Sequence, residues 1–377
     1  MTLLILDTDV APESLSKQTA TALSGDRGRI WADKGLNFIV SADGRLSVHA
    51  EQSTLDPTIL ASVLDYLQCG DNANMYDNEG NAIEMQDTDI HSQLPEHLLW
   101  DTDKLSKLFG SAEKTAKLNA KMSSVRVLKV STYGRSTVKS VGLSCDGFVQ
   151  IALNYAFYLH TGKFALSAET VPTRLFSKGR TETLRPLTNE MVDFIRYRLT
   201  LLPPLPKNNL VSLCLVLFSH AIVSICVCET VDKQNGLSDH SDARDQCIQL
   251  LKTACRRHQW LLLHAMTGKG VDRHLHALNL ATQLRTCERC DILDTVLQLP
   301  WDMASCRIPA TADANTAWLI GLPPYQNIPY TISYSCPDSD EFILCVSSPP
   351  REIKEPVLQA FMDRLQQAFD SLLLLIS

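Results

Sequence analysis

Positive charge is in short supply. Lys and Arg together number 35 against 42 Asp and Glu, a formal net charge of −7. The chain therefore exerts no general attraction on nucleic acid, and any basic ligand site must be local. No secretory leader is expected: "MTLLILDTDVAPES" has neither a basic start nor a long apolar core. That leaves the twelve cysteines expected as free thiols in a reducing compartment. The one CxxC, Cys287 to Cys290, has no second pair at metal-like spacing. No metal site is expected, and those thiols are expected to pack helices. Internal repeats and low-complexity tracts are absent as well. What is present, 45% hydrophobic and 20% charged residues over 377 positions, is the composition of a soluble globular chain with core material for two ordinary domains.

Charge is locally absent from "NNLVSLCLVLFSHAIVSICVC", the 21 residues from Asn208 to Cys228. By length alone it passes the threshold of about 18 residues for a transmembrane helix. The helix stop "LLPPLPK" precedes it and the polar "ETVDKQNGLSDHSDARDQ" follows. Helical sequence lies on both sides, "NEMVDFIRYRL" and "CIQLLKTACRRHQWLLLHAM". A single span would put those flanks on opposite sides of a bilayer, so no membrane span is expected, and an inserted packing segment or retained intron sequence fits better.

Short strands "LLILD", "LNFIV" and "RLSVHA" open the chain, the last two joined by an Ala-Asp-Gly turn. "DPTILASVLDYLQ" reads as a helix from its Asp-Pro start and its apolar spacing of three and four. Residues 70–95 are acidic and poor in apolar anchors, a loop or linker. An exposed amphipathic helix, "DTDKLSKLFGSAEKTAKLNAKM", carries an Asp cap. The strand "VRVLKVSTYG" and the buried helix "SCDGFVQIALNYAFYLHTGKF", with Ser144 as cap, come next. Helices "NEMVDFIRYRLTLL", "DARDQCIQLLKTACRRHQWLLLHAM" and "GVDRHLHALNLATQLR" follow. "YTISYSCPDSDEFILCVSS" is a hairpin of alternating apolar strands, and "PVLQAFMDRLQQAFDSLLLLI" closes as an amphipathic helix. Strands alternating with helices predict an α/β fold.

One turn looks like an acid/base site without its base. In "SVHAEQSTLDP", Glu51 and Asp56 flank Gln52 and Ser53. A carboxamide oxygen is too weakly basic to take a proton at neutral pH, and general-base catalysis is worth about 10²–10⁴-fold. His49 lies three positions away and reads as a solvent-facing strand residue.

Several stretches in order resemble the choline/carnitine acyltransferase family, and within it the carnitine palmitoyltransferases. They are "IWADKGLNFIVSADGRLSVHAEQSTLDP", "YGRSTVKSVGLSCDGFVQIALNYAFYLHTGKF", "TRLFSKGRTETLRP", "AMTGKGVDRHL" and "YTISY…FILCVSS". They cover nearly the whole chain except about 205–243. The resemblance implies two chloramphenicol-acetyltransferase-like halves, each a mixed sheet flanked by helices. It also implies acyl transfer between coenzyme A and the hydroxyl of carnitine, with both as small-molecule ligands and no resident cofactor.

The family's general base is a His after a Glu, with an acid further on that orients the ring. These positions are Gln52, Glu51 and Asp56 here. On the coenzyme A side the resemblance assigns Arg135 and Lys139 to the nucleotide phosphates, with Asp146 and Glu169 as further contacts. On the carnitine side it assigns Arg273 to the carboxylate, with Thr181, Thr183 and Arg185. The family's Tyr before Glu169 is Ala168. Its Ser-Thr-Ser run after Pro-Trp is Ala304, Ser305 and Cys306, a thiol where a hydroxyl should hold the developing oxyanion. Of the Gly-rich stretch that shapes the acyl channel only Gly321 remains, so bulky side chains are expected to narrow any tunnel.

The catalytic turn, mid-chain in the family, sits at residue 52. This divides the chain into 1–95, a remnant of the first half carrying that turn, and 96–377, the second half with an insertion near 205–243. Two readings stand open. One is a carnitine-palmitoyltransferase-like pseudoenzyme that retains coenzyme A or acyl-CoA binding, cytoplasmic or at the mitochondrial surface. The other is an active acyltransferase of fatty acid metabolism, with an altered base or seen as an incomplete gene model. Oligomeric state is not legible.

Overall fold

In the computed structural model, residues 2–24, 30–53, 55–72, 77, 79, 83, 102–121, 123–201, 240–284, 290–309, 318–338 and 340–377 are described. The uncharged run 208–228, Asp101, Cys287 and most of the acidic stretch 70–95 lie outside them, and so do the expectations placed on them.

The first strands pair as a small sheet of order β1-β2-β3. β1 (Thr2–Leu6) runs parallel to β2 (Leu36–Val40), and β2 forms the expected hairpin with β3 (Leu46–Ala50). Between β1 and β2 lies α1 (Leu15–Ser24), a helix the sequence reading did not assign. The turn at Gln52 leads into α2 (Pro57–Asn72), and α3 (Thr102–Ala120) is exposed along most of its described length.

A second sheet has the order β4-β9-β8-β7-β5-β6. Its strands are β4 (Ser124–Val130), β5 (Ser167–Pro172), β6 (Thr181–Leu184), β7 (Met303–Arg307), β8 (Tyr330–Ser335) and β9 (Phe342–Ser348). The β5–β7 and β7–β8 pairs are parallel, the others antiparallel. The helices are α4 (Arg135–Ser140), α5 (Cys145–Thr161), α6 (Asn189–Thr200), α7 (His240–Met266), α8 (Asp272–Gln283), α9 (Asp291–Leu297) and α10 (Glu355–Ile376). This is the expected mixed α/β architecture, sheet flanked by helices.

α10 shows why the large sheet is covered on one face. Leu358, Phe361, Leu365, Phe369 and Leu372 recur every three or four residues and are fully buried. They join α5 and the inward residues of β8 and β9 in one core, with Phe148 stacked on Phe342 at 5.9 Å and Tyr330 on Phe361 at 4.2 Å. Truncating either Phe148 or Phe361 to Ala would cost about 3–5 kcal/mol. The opposite face carries a smaller cluster: Cys306 and Ile308 of β7 and its extension against Leu60, Ala61 and Leu64 of α2, with Ile320 and Leu322.

β8 and β9 therefore do not alternate between core and solvent as their sequence suggested. They are buried throughout, because residues 318–323 lie over their second face: Ser333 Oγ donates to Ile320 O, and Ser347 Oγ to Leu322 O at 2.6 Å. Arg135 opens the short helix α4 and Lys139 lies in its last turn. Cys290 is exposed before α9 and packs no helix.

Candidate active site

At the end of β3, Glu51 N donates to Gly35 O at 3.0 Å and closes the hairpin. The Glu51 carboxylate then folds back on Ser53, accepting from its amide at 2.9 Å and from its hydroxyl. Those hydrogen bonds hold its pKa below the usual range. Gln52 follows, its Nε2 donating to Tyr325 Oη at 3.4 Å.

Arg180 clamps this turn. Its Nη2 and Nε reach the two Asp56 oxygens at 2.7 and 3.3 Å, Nη1 reaches Ser53 O at 2.9 Å, and Nη2 also reaches Gln52 O at 3.3 Å. The planar fork suits such multiple contact. Both oxygens of Asp56, assigned by resemblance to orienting a catalytic ring, are thus engaged by a guanidinium. Arg180 stands in the quoted Gly-Arg-Thr-Glu-Thr run, but nothing in that run points to a partner 124 positions earlier.

Gln52 borders a cavity of about 530 Å³ walled by Leu46, Val48, Leu60, Leu64, Trp318 and Ile320. Bulky residues around Gly321 line this space and leave it open. His49 lines it too, which corrects its reading as a solvent-facing residue: β3 is backed by α1, the ring is half-buried, and its Nδ1 lies 2.9 Å from Ala22 O. A carbonyl can only accept, so Nδ1 carries a proton, and in the neutral ring the lone pair is then on Nε2.

Beneath the sheet lies a polar network that the sequence reading missed. The parallel register sets Glu169 of β5 beside Ser305 of β7. Glu169 Oε2 meets His258 Nε2 at 2.6 Å, and Tyr334 Oη donates to Glu169 Oε1 at 3.1 Å. Gln150 Nε2 donates to Tyr334 Oη at 3.2 Å and to Ser305 Oγ at 3.0 Å, and Ser305 Oγ donates to Ala168 O at 3.2 Å. Burial opposes charge on the His258 ring, but the facing Glu169 carboxylate, with Asp146 beyond, raises its pKa above the ordinary value. A signal existed: Leu251, Ala254, Cys255 and His258 share the buried stripe of α7.

Of the two candidate oxyanion residues one is committed elsewhere, while Cys306 packs with Leu60, Leu64 and Ile320, which also wall the cavity beside Gln52. Ser305 belongs to this network. Cys306 is buried on the opposite face, where burial pushes its thiol up to about 12, so it stays protonated.

Asp146 is buried and hydrogen-bonded to Arg307 at 2.6 Å, with its other oxygen unpartnered. Burial raises its pKa, against the pull of Arg307. Arg135 Nη1 meets Asp338 at 2.7 Å, on a helix held close by Gly134, where a Cβ would stand 2.2 Å from Asp340 C. Lys139 is in the last turn of the same helix.

A third cluster brings Arg273 to Thr181. Arg273 Nε donates to Thr181 O at 3.0 Å and Nη2 to Thr181 Oγ1 at 3.2 Å. Along β6, Glu182 and Leu184 are buried while Thr181 and Thr183 face the other way. Glu182 Oε1 accepts from Thr183 N and Arg273 N, and Gly270 makes room for it, since a Cβ there would meet its Oε2 at 2.5 Å. Arg185 meets Asp272 at 2.9 Å and lies over the Trp301 ring.

Comparison with known proteins gives the family of the chain. The model of the choline/carnitine O-acyltransferase domain matches residues 1–201 and 219–367. The chain belongs to the choline/carnitine acyltransferase family. The family match leaves 202–218 uncovered, a narrower stretch than the 205–243 set apart by sequence reading. Human carnitine O-palmitoyltransferase 1, liver isoform, is 28% identical over 80% of this chain and 34% of its own length. Bovine peroxisomal carnitine O-octanoyltransferase is 26% identical over 72% and 37%, and rat choline O-acetyltransferase 26% over 66% and 32%. The chain thus spans about a third of the length of the curated family members it matches. Among solved structures, the wax ester synthase/diacylglycerol acyltransferase from Marinobacter aquaeolei VT8 aligns with all of this chain and 79% of its own, at 10% identity and TM-score 0.43. Among the described residues no helix is long and apolar enough to cross a membrane, and no cluster of three or more His, Cys, Asp or Glu is arranged to hold a metal.

Proposed function

We propose that this chain is a carnitine-palmitoyltransferase-like family member that binds coenzyme A or acyl-CoA and is impaired in acyl transfer. One observation carries the reading: the turn that should supply the base presents Gln52, hydrogen-bonded to Tyr325, while Arg180 holds Asp56. A carboxamide neither takes the hydroxyl proton of carnitine nor gains basicity from a neighbouring acid. In the same reading Arg135 and Lys139 meet the phosphates of coenzyme A, Glu169 and Asp146 line that side, and Thr181, Thr183, Arg185 and Arg273 belong to the carnitine side. The cavity beside Gln52 takes the acyl chain.

The experiment pairs turnover with binding. Purified protein mixed with palmitoyl-CoA and carnitine should release coenzyme A no faster than a blank, while calorimetry detects coenzyme A binding. That binding should weaken in Arg135→Ala/Lys139→Ala, most at low salt, where phosphate contacts count most. Turnover at the rate of an intact family member would overturn the reading, and so would carnitine binding tighter than coenzyme A binding.

A second reading, an active acyltransferase with an altered base, is favoured by His49. It lines the same cavity with its Nδ1 proton fixed on Ala22 O, the tautomer a base requires. If turnover is found, loss on His49→Gln would assign it to that ring.

A further inference from the structure

A second cavity, of about 590 Å³, adjoins the one beside Gln52, and Leu23, His49 and Pro323 line both. It lies apart from the residues read as meeting the phosphates of coenzyme A and carnitine. Its walls include Ser123, just before β4, and Pro349 and Pro350, just after β9. Ser124 pairs with Ser348 at that end of the two strands, and Val130 with Phe342 at the other. Arg135 follows the Val130 end, roughly 20 Å away along the strand. Thr181 is on β6, and β4 and β6 are the opposite edges of a six-stranded sheet, roughly 24 Å across.

The two cavities differ in character. Leu46, Val48, Leu60, Leu64, Trp318 and Ile320 wall the first. Among the described residues, Arg351 is the only Lys or Arg that lines either cavity, and its exposed guanidinium has no hydrogen bond, ion pair or ring contact. A tight turn sets Arg351 there: Glu352 N and Ile353 N donate to Pro349 O at 3.0 and 2.9 Å, and Pro349 and Pro350 fix φ on the approach. Tyr325 stands on another turn of the same cavity, its N donating to Thr331 Oγ1 at 3.2 Å and its O accepting from Ile328 N at 3.3 Å. The Tyr325 hydroxyl accepts from Gln52 and keeps its own proton to donate. The Gln326 and Asn327 carboxamides on that turn are uncommitted.

A ligand shared by the two cavities is therefore apolar along its length and anionic at one end. One cation, with Glu352 as the one acid among the described residues lining the second cavity, suits a single negative charge. A phosphate, at close to two charges near neutral pH, would lack a second cation. We propose that the paired cavities bind a non-esterified long-chain carboxylic acid, its chain in the first cavity and its carboxylate at Arg351 in the second. The place of the chain rests on the reading that the first cavity takes an acyl group; the place of the carboxylate does not.

The test uses the full chain and a fluorescent fatty acid, cis-parinarate, which palmitate, laurate and 1-hexadecanol compete to displace. Palmitate should displace it best. Laurate, shorter by four methylenes, should bind more weakly by up to about 10²-fold, at about fourfold per buried methylene. Hexadecanol has the chain without the charge and should bind several-fold more weakly than palmitate. Arg351→Gln should cost palmitate about fivefold, the scale of an exposed ion pair, and leave hexadecanol unchanged. Glu352→Gln removes the opposing charge and should tighten palmitate. Arg135→Ala/Lys139→Ala should leave palmitate binding intact, so a failure of the coenzyme A reading shows in calorimetry of that variant and a failure of this proposal in Arg351→Gln. Palmitate no tighter than hexadecanol, equal palmitate affinity in wild type and Arg351→Gln, or no displacement of the probe by palmitate would overturn the proposal.

Discussion

Removing the His258 ring tests the buried network most directly. His258 and Glu169 side chains are 0% and 2% exposed, with 2.6 Å between Nε2 and Oε2. Deleting one member of such a pair leaves the other charge buried without compensation, at about 3–5 kcal/mol. In His258→Leu only Tyr334 Oη remains to satisfy Glu169. At about 2.1 cal/mol/K per residue of unfolding entropy, a 377-residue chain would lose roughly 4–6 °C in Tm. His258→Gln keeps a donor but loses the charge. It should cost closer to the difference between a charge-assisted and a neutral hydrogen bond, about 1 kcal/mol.

The pair also carries a pH signature of defined sign. The pKa of His258 is raised in the fold, so the charged ring binds its proton more tightly folded than unfolded. That stabilisation is full below the unfolded value of about 6.5 and is lost as pH rises through the higher folded value. Asp146, raised by burial, contributes in the same direction but from lower pH, starting at the ordinary aspartate range. Urea unfolding at stepped pH therefore separates them. Wild type should lose stability above the ordinary histidine range, and His258→Gln should lose that segment of the slope alone. A His258→Leu variant within about 1 kcal/mol of wild type, or an unchanged slope in His258→Gln, would refute the pairing.

Other expectations follow from the site. Arg180→Ala should speed amide exchange at Gln52 and Ser53, measured by hydrogen exchange, because it removes the fork that accounts for the Gln52 and Ser53 carbonyl contacts; unchanged protection would deny it a clamping role. Gln52→His, assayed with palmitoyl-CoA and carnitine, should raise turnover, but less than the roughly 10²–10⁴-fold a positioned base supplies, since Arg180 engages the acid that would orient the ring; a gain at the top of that range would show that Asp56 is free to do so. Gly134→Ala forces a Cβ to 2.2 Å from Asp340 C and should destabilise by about 1–3 kcal/mol while weakening coenzyme A binding, read by calorimetry; an unperturbed Tm would mean that the α4 approach is looser than it stands.

How far the sequence speaks depends on where a contact partner lies. α10 was legible because its information is local: an apolar stripe at spacing of three and four needs only one face to bury. The strands β5, β6 and β7 escaped because "SAETVP", "TETL" and "MASCR" carry polar side chains inward, and such inward polarity is stable only when a partner satisfies it. Those partners are remote: Glu169 and His258 stand 89 positions apart, Gln150 and Ser305 155. Gln52 is the reverse case. Its identity stood out in a single letter, because the residues around it resemble a catalytic turn, yet its environment did not. Tyr325 is 273 positions from Gln52, and Arg180, which engages Asp56, is 128. On the proposed reading, residue identity at position 52 speaks only of the base. The setting of that base depends on the fold, because Arg180 contacts the Asp56 carboxylate and only the backbone oxygen of residue 52. For that reason the double variant Gln52→His/Arg180→Ala is more informative than either single change. If Arg180 competes for the acid, the double variant should exceed Gln52→His in turnover. If Arg180 instead holds the turn in working shape, the double variant should fall below it, and the same assay reports which.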